Sequence, residues 1–118
     1  MVSGTVAGQL LSNTIAGERR QARRGDTFPK LSPATGRQLS SVPRSSADDV
    51  DDAVRAAAAA QPAWGATPAV QRGLLLHQVV RAMQDRAVDF AEVVSTETGK
   101  SPKDAAGETS GAIQLGLF

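Results

Sequence analysis

The sequence predicts an α+β chain rich in helix, with a short N-terminal β-meander followed by four α-helices. Three observations carry this expectation. Before residue 44 the chain is punctuated by glycine, proline and serine–proline turns, as between short strands. After Ser45 the apolar residues recur at helical spacing. Two Ser-x-x-Asp sequences, at Ser46 and Ser101, have the form of a capping box that starts a helix.

Residues 1–13 are small and polar with scattered Leu and Val, and read as a loose tail; residues 14–118 form the domain segment. Over residues 14–43, Ala16-Gly17 and Gly25-Asp26 mark turns, and an extended run starts at Thr27-Phe28. Ser32-Pro33-Ala34-Thr35-Gly36 is a turn, in which Pro33 presets φ and Gly36 can take a positive φ. Gln38 to Val42 alternates weakly and is expected to end at Pro43.

The first helix is expected to start at Ser46, with Asp48, Asp49, Asp51 and Asp52 in its first turns, where carboxylates favour the positive end of the helix dipole. Val50, Ala53, Val54 and Ala57 share a face, and Ala56 to Ala60 has the highest helix propensity available. Pro62 is expected to end this helix. Thr67-Pro68 reads as N-cap and first residue of the second helix, whose apolar face is Leu76, Val79, Val80 and Met83. A third helix holds Phe90, Val93 and Val94, and Gly99 is placed to close it. The fourth opens at Ser101-Pro102 and carries Ala106, Ser110 and Ile113 or Leu117 on one face. Ile113, Leu115, Leu117 and Phe118 are apolar and uncapped, so that end is expected to need a partner.

Composition narrows the function. The 118 residues carry a net charge of +1, so no global field attracts nucleic acid or an acidic membrane. Apolar residues make up 41%, but many are alanine and aromatics are only 3%, so the core is expected to be thin. With no cysteine there is no disulfide, thiolate metal site or thiol nucleophile in this sequence. No apolar run is long enough to cross a bilayer, and no signal peptide is legible at the N-terminus.

Each candidate feature has a bland reading that outweighs the chemical one. His77, the only histidine, lies on a leucine-rich helix without an evident orienting partner, so a structural role is expected. The four aspartates are adjacent and lack calcium-loop spacing, so they read as solvated helix-start charges. Arg19, Arg20, Arg23 and Arg24 lack interleaved aromatics, so they read as a basic hairpin loop rather than a nucleic-acid patch. Gly107 and Gly111 read as a close-packing face, and Trp64 as a packing anchor between two helices. The residues thus assign no catalytic, cofactor-binding or metal-binding position.

The order of motifs resembles the N-terminal part of NAD(P)-dependent aldehyde dehydrogenases. Thr27-Phe28-Pro29-Lys30-Leu31-Ser32-Pro33-Ala34-Thr35-Gly36 is similar to that family's early strand and turn. Ala47-Asp48-Asp49-Val50, Pro62-Ala63-Trp64, Arg72 with Leu75 and Leu76, and Glu97-Thr98-Gly99-Lys100-Ser101-Pro102 follow in the family's order. Ile15-Ala16-Gly17-Glu18 is similar to its opening turn, with Ala16 where asparagine is usual and Arg19 where tryptophan is usual. Ser32 and Arg37 also depart from the common asparagine and glutamate. The resemblance implies the N-terminal segment of the aldehyde dehydrogenase α/β fold, within a longer cytoplasmic and homo-oligomeric enzyme. Such an enzyme oxidises an aldehyde to a carboxylic acid through a cysteine thiolate, with NAD or NADP as hydride acceptor and no nucleic-acid or membrane partner. The family's cysteine, oxyanion-stabilising asparagine, base glutamate and cofactor-contacting lysine lie downstream, and no residue here matches them. The expectation is therefore a segment that is inactive alone and binds no cofactor alone. A stand-alone protein-interaction module or a remnant is the competing expectation.

Overall fold

The computed structural model describes residues 8–117. The elements are β1 (Gln9–Leu10), β2 (Asn13–Ile15), β3 (Glu18–Arg20), β4 (Thr27–Leu31), β5 (Gln38–Pro43), α1 (Ala47–Ala66), α2 (Ala69–Asp85), α3 (Ala87–Thr98) and α4 (Pro102–Gly116). The chain divides into two compact units. One holds the strands and α1; the other holds residues 32–34 and everything from Thr67 onward.

In the first unit, β5 is the centre of a three-stranded sheet ordered β1-β5-β4. β4 runs antiparallel to it, pairing Thr27 with Pro43 and Phe28 with Val42, and a register irregularity lies between Lys30 and Leu31. Pro29 is accommodated because β4 is an edge strand, where a residue without an N–H costs the sheet least. β1 pairs in parallel with β5, Gln9 opposite Ser40. The tail expected over residues 1–13 thus contains strand at Gln9–Leu10 and the start of β2 at Asn13, while residues 1–7 lie outside the described part. β2 and β3 form a separate hairpin. Its two-residue turn, Ala16-Gly17, has φ of 54° and 79°, the pair of positive values that matches the twist of the flanking strands.

The first helix departs from expectation at its C-terminal end. α1 continues through Pro62 to Ala66. Pro62 removes the N–H that would bond to the Ala58 carbonyl, but one lost donor does not end a helix already established by the Ala56–Ala60 run. Trp64 consequently lies inside α1 rather than between helices, and is 42% exposed.

The second unit packs α2, α3 and α4 against one another. α2 begins one residue later than expected. Pro68, with ψ of 141°, is the N-cap residue, and no side chain caps the helix. The shift takes Thr67 out of the capping position; its carbonyl instead accepts a bond from Arg72 Nη1 at 2.7 Å. Gly99 closes α3 in the left-handed conformation, φ 73°, with its N–H on the Ser95 carbonyl at 2.9 Å. Ser101 caps α4, its Oγ accepting from the Asp104 N–H at 3.2 Å.

Burial is sparse, as the alanine-rich composition implies. The buried apolar side chains are Ile15 and Ala22 in the first unit, and Val80, Ala105 and Ile113 in the second. The buried row of α4 is Ala105, Thr109 and Ile113, one position round the helix from the expected Ala106–Ser110 row. Of the expected face of α2, Val80 is buried whereas Leu76 and Val79 are exposed. Val80 lies where α2 meets the end of α4: a Cβ built on Gly116 would fall 2.6 Å from Val80 Cγ2. Gly107 and Gly111, expected to be the close-packing pair, have no neighbouring atom within 4 Å of such a Cβ.

Candidate functional site

In the strand-bearing unit, the acidic and basic clusters of the sequence meet in part. The box that opens α1 is built backwards from Asp49, whose Oδ2 accepts from the Ser46 N–H at 2.8 Å and Ser46 Oγ at 2.9 Å. Its Oδ1 accepts from the Arg23 N–H at 2.9 Å. Asp52 accepts from Arg23 Nε at 2.9 Å through Oδ2 and from Arg55 Nη2 at 2.7 Å through Oδ1. The backbone N–H groups of Ser46 and Arg23 hold the Asp49 carboxyl below the usual carboxylate range. Arg55, then Arg23, does the same for Asp52, and the bond to Asp52 raises Arg23. These carboxylates are therefore acceptors committed to positioning the Arg23 loop on α1, not proton carriers. Arg20 is turned to Glu18 at 2.7 Å. Among the described residues, no three metal-ligating side chains converge.

In the helical unit a groove of about 760 Å³ lies between α3 and α4. Ala87, Val88, Ala91, Glu92, Ser95 and Thr96 form one wall, and Pro102, Ala106, Thr109, Ser110, Ile113 and Gln114 the other, with Gln84 at one end. Small residues at four-residue intervals, Ala87-Ala91-Ser95 and Ala106-Ser110, make both walls low. That spacing was the available sequence signal. Ala106 and Ser110, expected to share one face of the fourth helix, are exposed and face the groove. His77 lines a shallower depression on α2 of about 390 Å³ with Val70, Gly73, Leu74, Gln78 and Arg81. That lining offers no carboxylate to orient the imidazole, as base catalysis needs.

The groove has no glycine loop and no cation for a pyrophosphate, and Glu92 would repel one. Chemically it is a seat for apolar, weakly polar matter. The described residues thus comprise short strands with a long first helix, and a three-helix unit with an open groove.

Comparison with known proteins places these elements. The aldehyde dehydrogenase family model matches residues 20–116. Over 98 residues the chain is 43% identical to a 3,6-anhydro-alpha-L-galactose dehydrogenase of Streptomyces coelicolor, a match covering 83% of this chain and 20% of that protein. It is 36% identical to malonate-semialdehyde dehydrogenase 2 of Geobacillus kaustophilus, over 97% of this chain and 24% of the relative. Among solved structures, an NAD-dependent aldehyde dehydrogenase from Sinorhizobium meliloti superposes with a TM-score of 0.88 at 28% identity, covering 96% of this chain and 23% of that one. An NADP-dependent enzyme of E. coli does so with a TM-score of 0.86 at 33% identity, over 96% and 23%. The chain belongs to the aldehyde dehydrogenase family. It spans about a fifth to a quarter of the length of these relatives.

Proposed function

We propose that this chain forms the N-terminal shell of an NAD(P)-dependent aldehyde dehydrogenase that oxidises an aldehyde to a carboxylic acid, and that these 118 residues alone turn over no substrate. The observation that carries the reading is the match over residues 20–116 to enzymes of which the chain spans 20–24%, in a sequence without a thiol. The nucleophile, the oxyanion donor and the cofactor contacts belong to the remaining polypeptide, so the segment binds neither NAD nor NADP alone. The complete enzyme is a cytoplasmic homo-oligomer without nucleic-acid or membrane partners. No helix among the described residues is long and apolar enough to cross a membrane.

Two preparations test this. The 118-residue protein, mixed with NAD+, NADP+ and an aldehyde panel, gives no reduced nicotinamide; sustained reduction overturns the assignment of inactivity. A chimera carrying this chain in place of the matched segment of the Streptomyces relative oxidises aldehyde. A folded chimera that is inert towards every aldehyde its parent accepts overturns the shell assignment.

A further inference from the structure

The α3–α4 groove has no occupant within its own unit, although its form is that of a helix seat. Two rows of small side chains at four-residue spacing, Ala87-Ala91-Ser95 and Ala106-Ser110, leave a trough in which the ridge of another helix can lie close to both backbones. Ile113 adds a large apolar side chain to the α4 wall, and no lysine or arginine lines the groove. Val88 in the groove wall is 72% exposed, and Leu115, on α4 but outside the groove lining, is 77% exposed. On the same unit α2 leaves Val70, Leu74 and Leu76 exposed. Removing such apolar side chains from water is favourable, so this surface has a drive to be covered.

We infer that the occupant is a helix of the remaining four-fifths of the aldehyde dehydrogenase polypeptide, presenting a row of large aliphatic side chains to the groove. The length of chain outside the match argues for this occupant. The chain spans 20–24% of its relatives, and the TM-score of 0.88 shows that the corresponding segment of the Sinorhizobium meliloti enzyme holds a similar conformation inside a chain some four times longer. The lining argues the same way. The small alanine and serine positions of both walls allow van der Waals contact and close backbone approach along the trough, with Glu92 and Gln114 as the larger polar groups on its walls, which suits a permanent helix contact better than a small polar ligand. The inference rests on the shell reading and specifies which surface of the shell faces the rest of the enzyme.

The absence of cysteine supplies a clean probe. Ala106→Cys and Ser110→Cys place single thiols on one wall of the groove, with small changes in volume. Maleimide labelling, read by peptide mass spectrometry, is compared between the isolated 118-residue variants and the same variants within the Streptomyces chimera; urea-unfolded protein gives the reference rate. In the isolated chain both thiols label close to the reference rate. In the folded chimera they label about tenfold or more slowly. Equal rates in the isolated chain and the folded chimera overturn the inference. So does concentration-dependent protection in the isolated chain, which makes a second copy the occupant. Failure of the chimera to fold where its parent folds also counts against it, because the surface must then reject the relative's remainder. The two readings separate in the same samples. An inert chimera with protected thiols retains the helix seat and removes the activity; an active chimera with freely reacting thiols does the reverse.

Discussion

Replacing Gly116 by alanine tests the packing of the helical unit most directly. The added Cβ would lie 2.6 Å from Val80 Cγ2 and 3.7 Å from Val80 Cβ and Cγ1. Val80 is 6% exposed and β-branched within a helix, so its χ1 is confined largely to one rotamer and cannot swing aside cheaply. Overpacking of this kind costs about 1–3 kcal/mol. Against it stands a gain of up to ~1 kcal/mol for exchanging glycine for alanine in a helix, smaller here because Gly116 is the last helical residue. The net expectation is a loss of about 1–2 kcal/mol, read as a lower urea midpoint with unchanged slope when helicity is followed by circular dichroism. Val80→Ala removes the obstructing methyls, so the double variant should show a favourable coupling of about 1 kcal/mol relative to the sum of the singles. Gly107→Ala and Gly111→Ala meet nothing and should each stabilise by about 0.5–1 kcal/mol. A Gly116→Ala protein as stable as the parent, or a double variant that is merely additive, would refute the assigned contact between α2 and α4.

Three further outcomes follow from other positions. Ala16 holds a φ of 54° that costs a non-glycine residue about 1–2 kcal/mol, so Ala16→Asn, which adopts this region more readily, should raise stability by about 0.5–1 kcal/mol in the same urea assay. Asp49 and Asp52 have carboxyls depressed in the folded protein. They therefore contribute stability that is present above the unfolded carboxylate range and is lost as pH falls through the lower folded values. Urea midpoints measured from neutral to acid pH should fall, and Asp49→Ala should both lower the neutral midpoint and flatten that acid limb. Ser101→Ala removes the acceptor of the Asp104 N–H and should cost about 0.5–2 kcal/mol, with the loss confined to α4 in hydrogen exchange.

What was legible in the sequence was chemistry that acts over three or four residues. The Ser46 and Ser101 boxes, the left-handed Gly99 and the Ala16-Gly17 turn all stand where the sequence places them. Local pattern could not reveal that Gln9–Leu10 pairs with a strand some thirty residues on, because a parallel pairing has no turn to announce it. Nor could it show that Arg23 spans to Asp52, which splits the apparent basic patch. Pro62 misled because a proline's cost depends on the helix around it. The sequence did not show that Ala105 and Thr109 join Ile113 as the buried row of α4, because alanine, serine and threonine carry too little hydrophobic contrast to fix which side is buried. The groove was missed for a related reason: small residues mark close approach, but the sequence does not say whether the approaching element lies within these residues.

The turn at Pro33-Ala34 and the turn at Gly99 lie sixty-odd residues apart, yet they touch. A Cβ on Gly99 would sit 3.2 Å from Pro33 Cγ and 3.6 Å from the Ala34 nitrogen, and residues 32–34 belong with the helical unit although the chain on either side of them does not. The two short motifs are therefore halves of one contact and should tolerate substitution only together. On the ribosome the consequence is an order of events. The turn at residues 32–34 emerges early and must wait for α2 and α3 to be synthesised before Gly99 arrives to meet it. Three residues of the helical unit are thus supplied from within the strand-bearing part of the sequence, and a cut between Ala66 and Thr67 would release helices that lack a piece of their own unit.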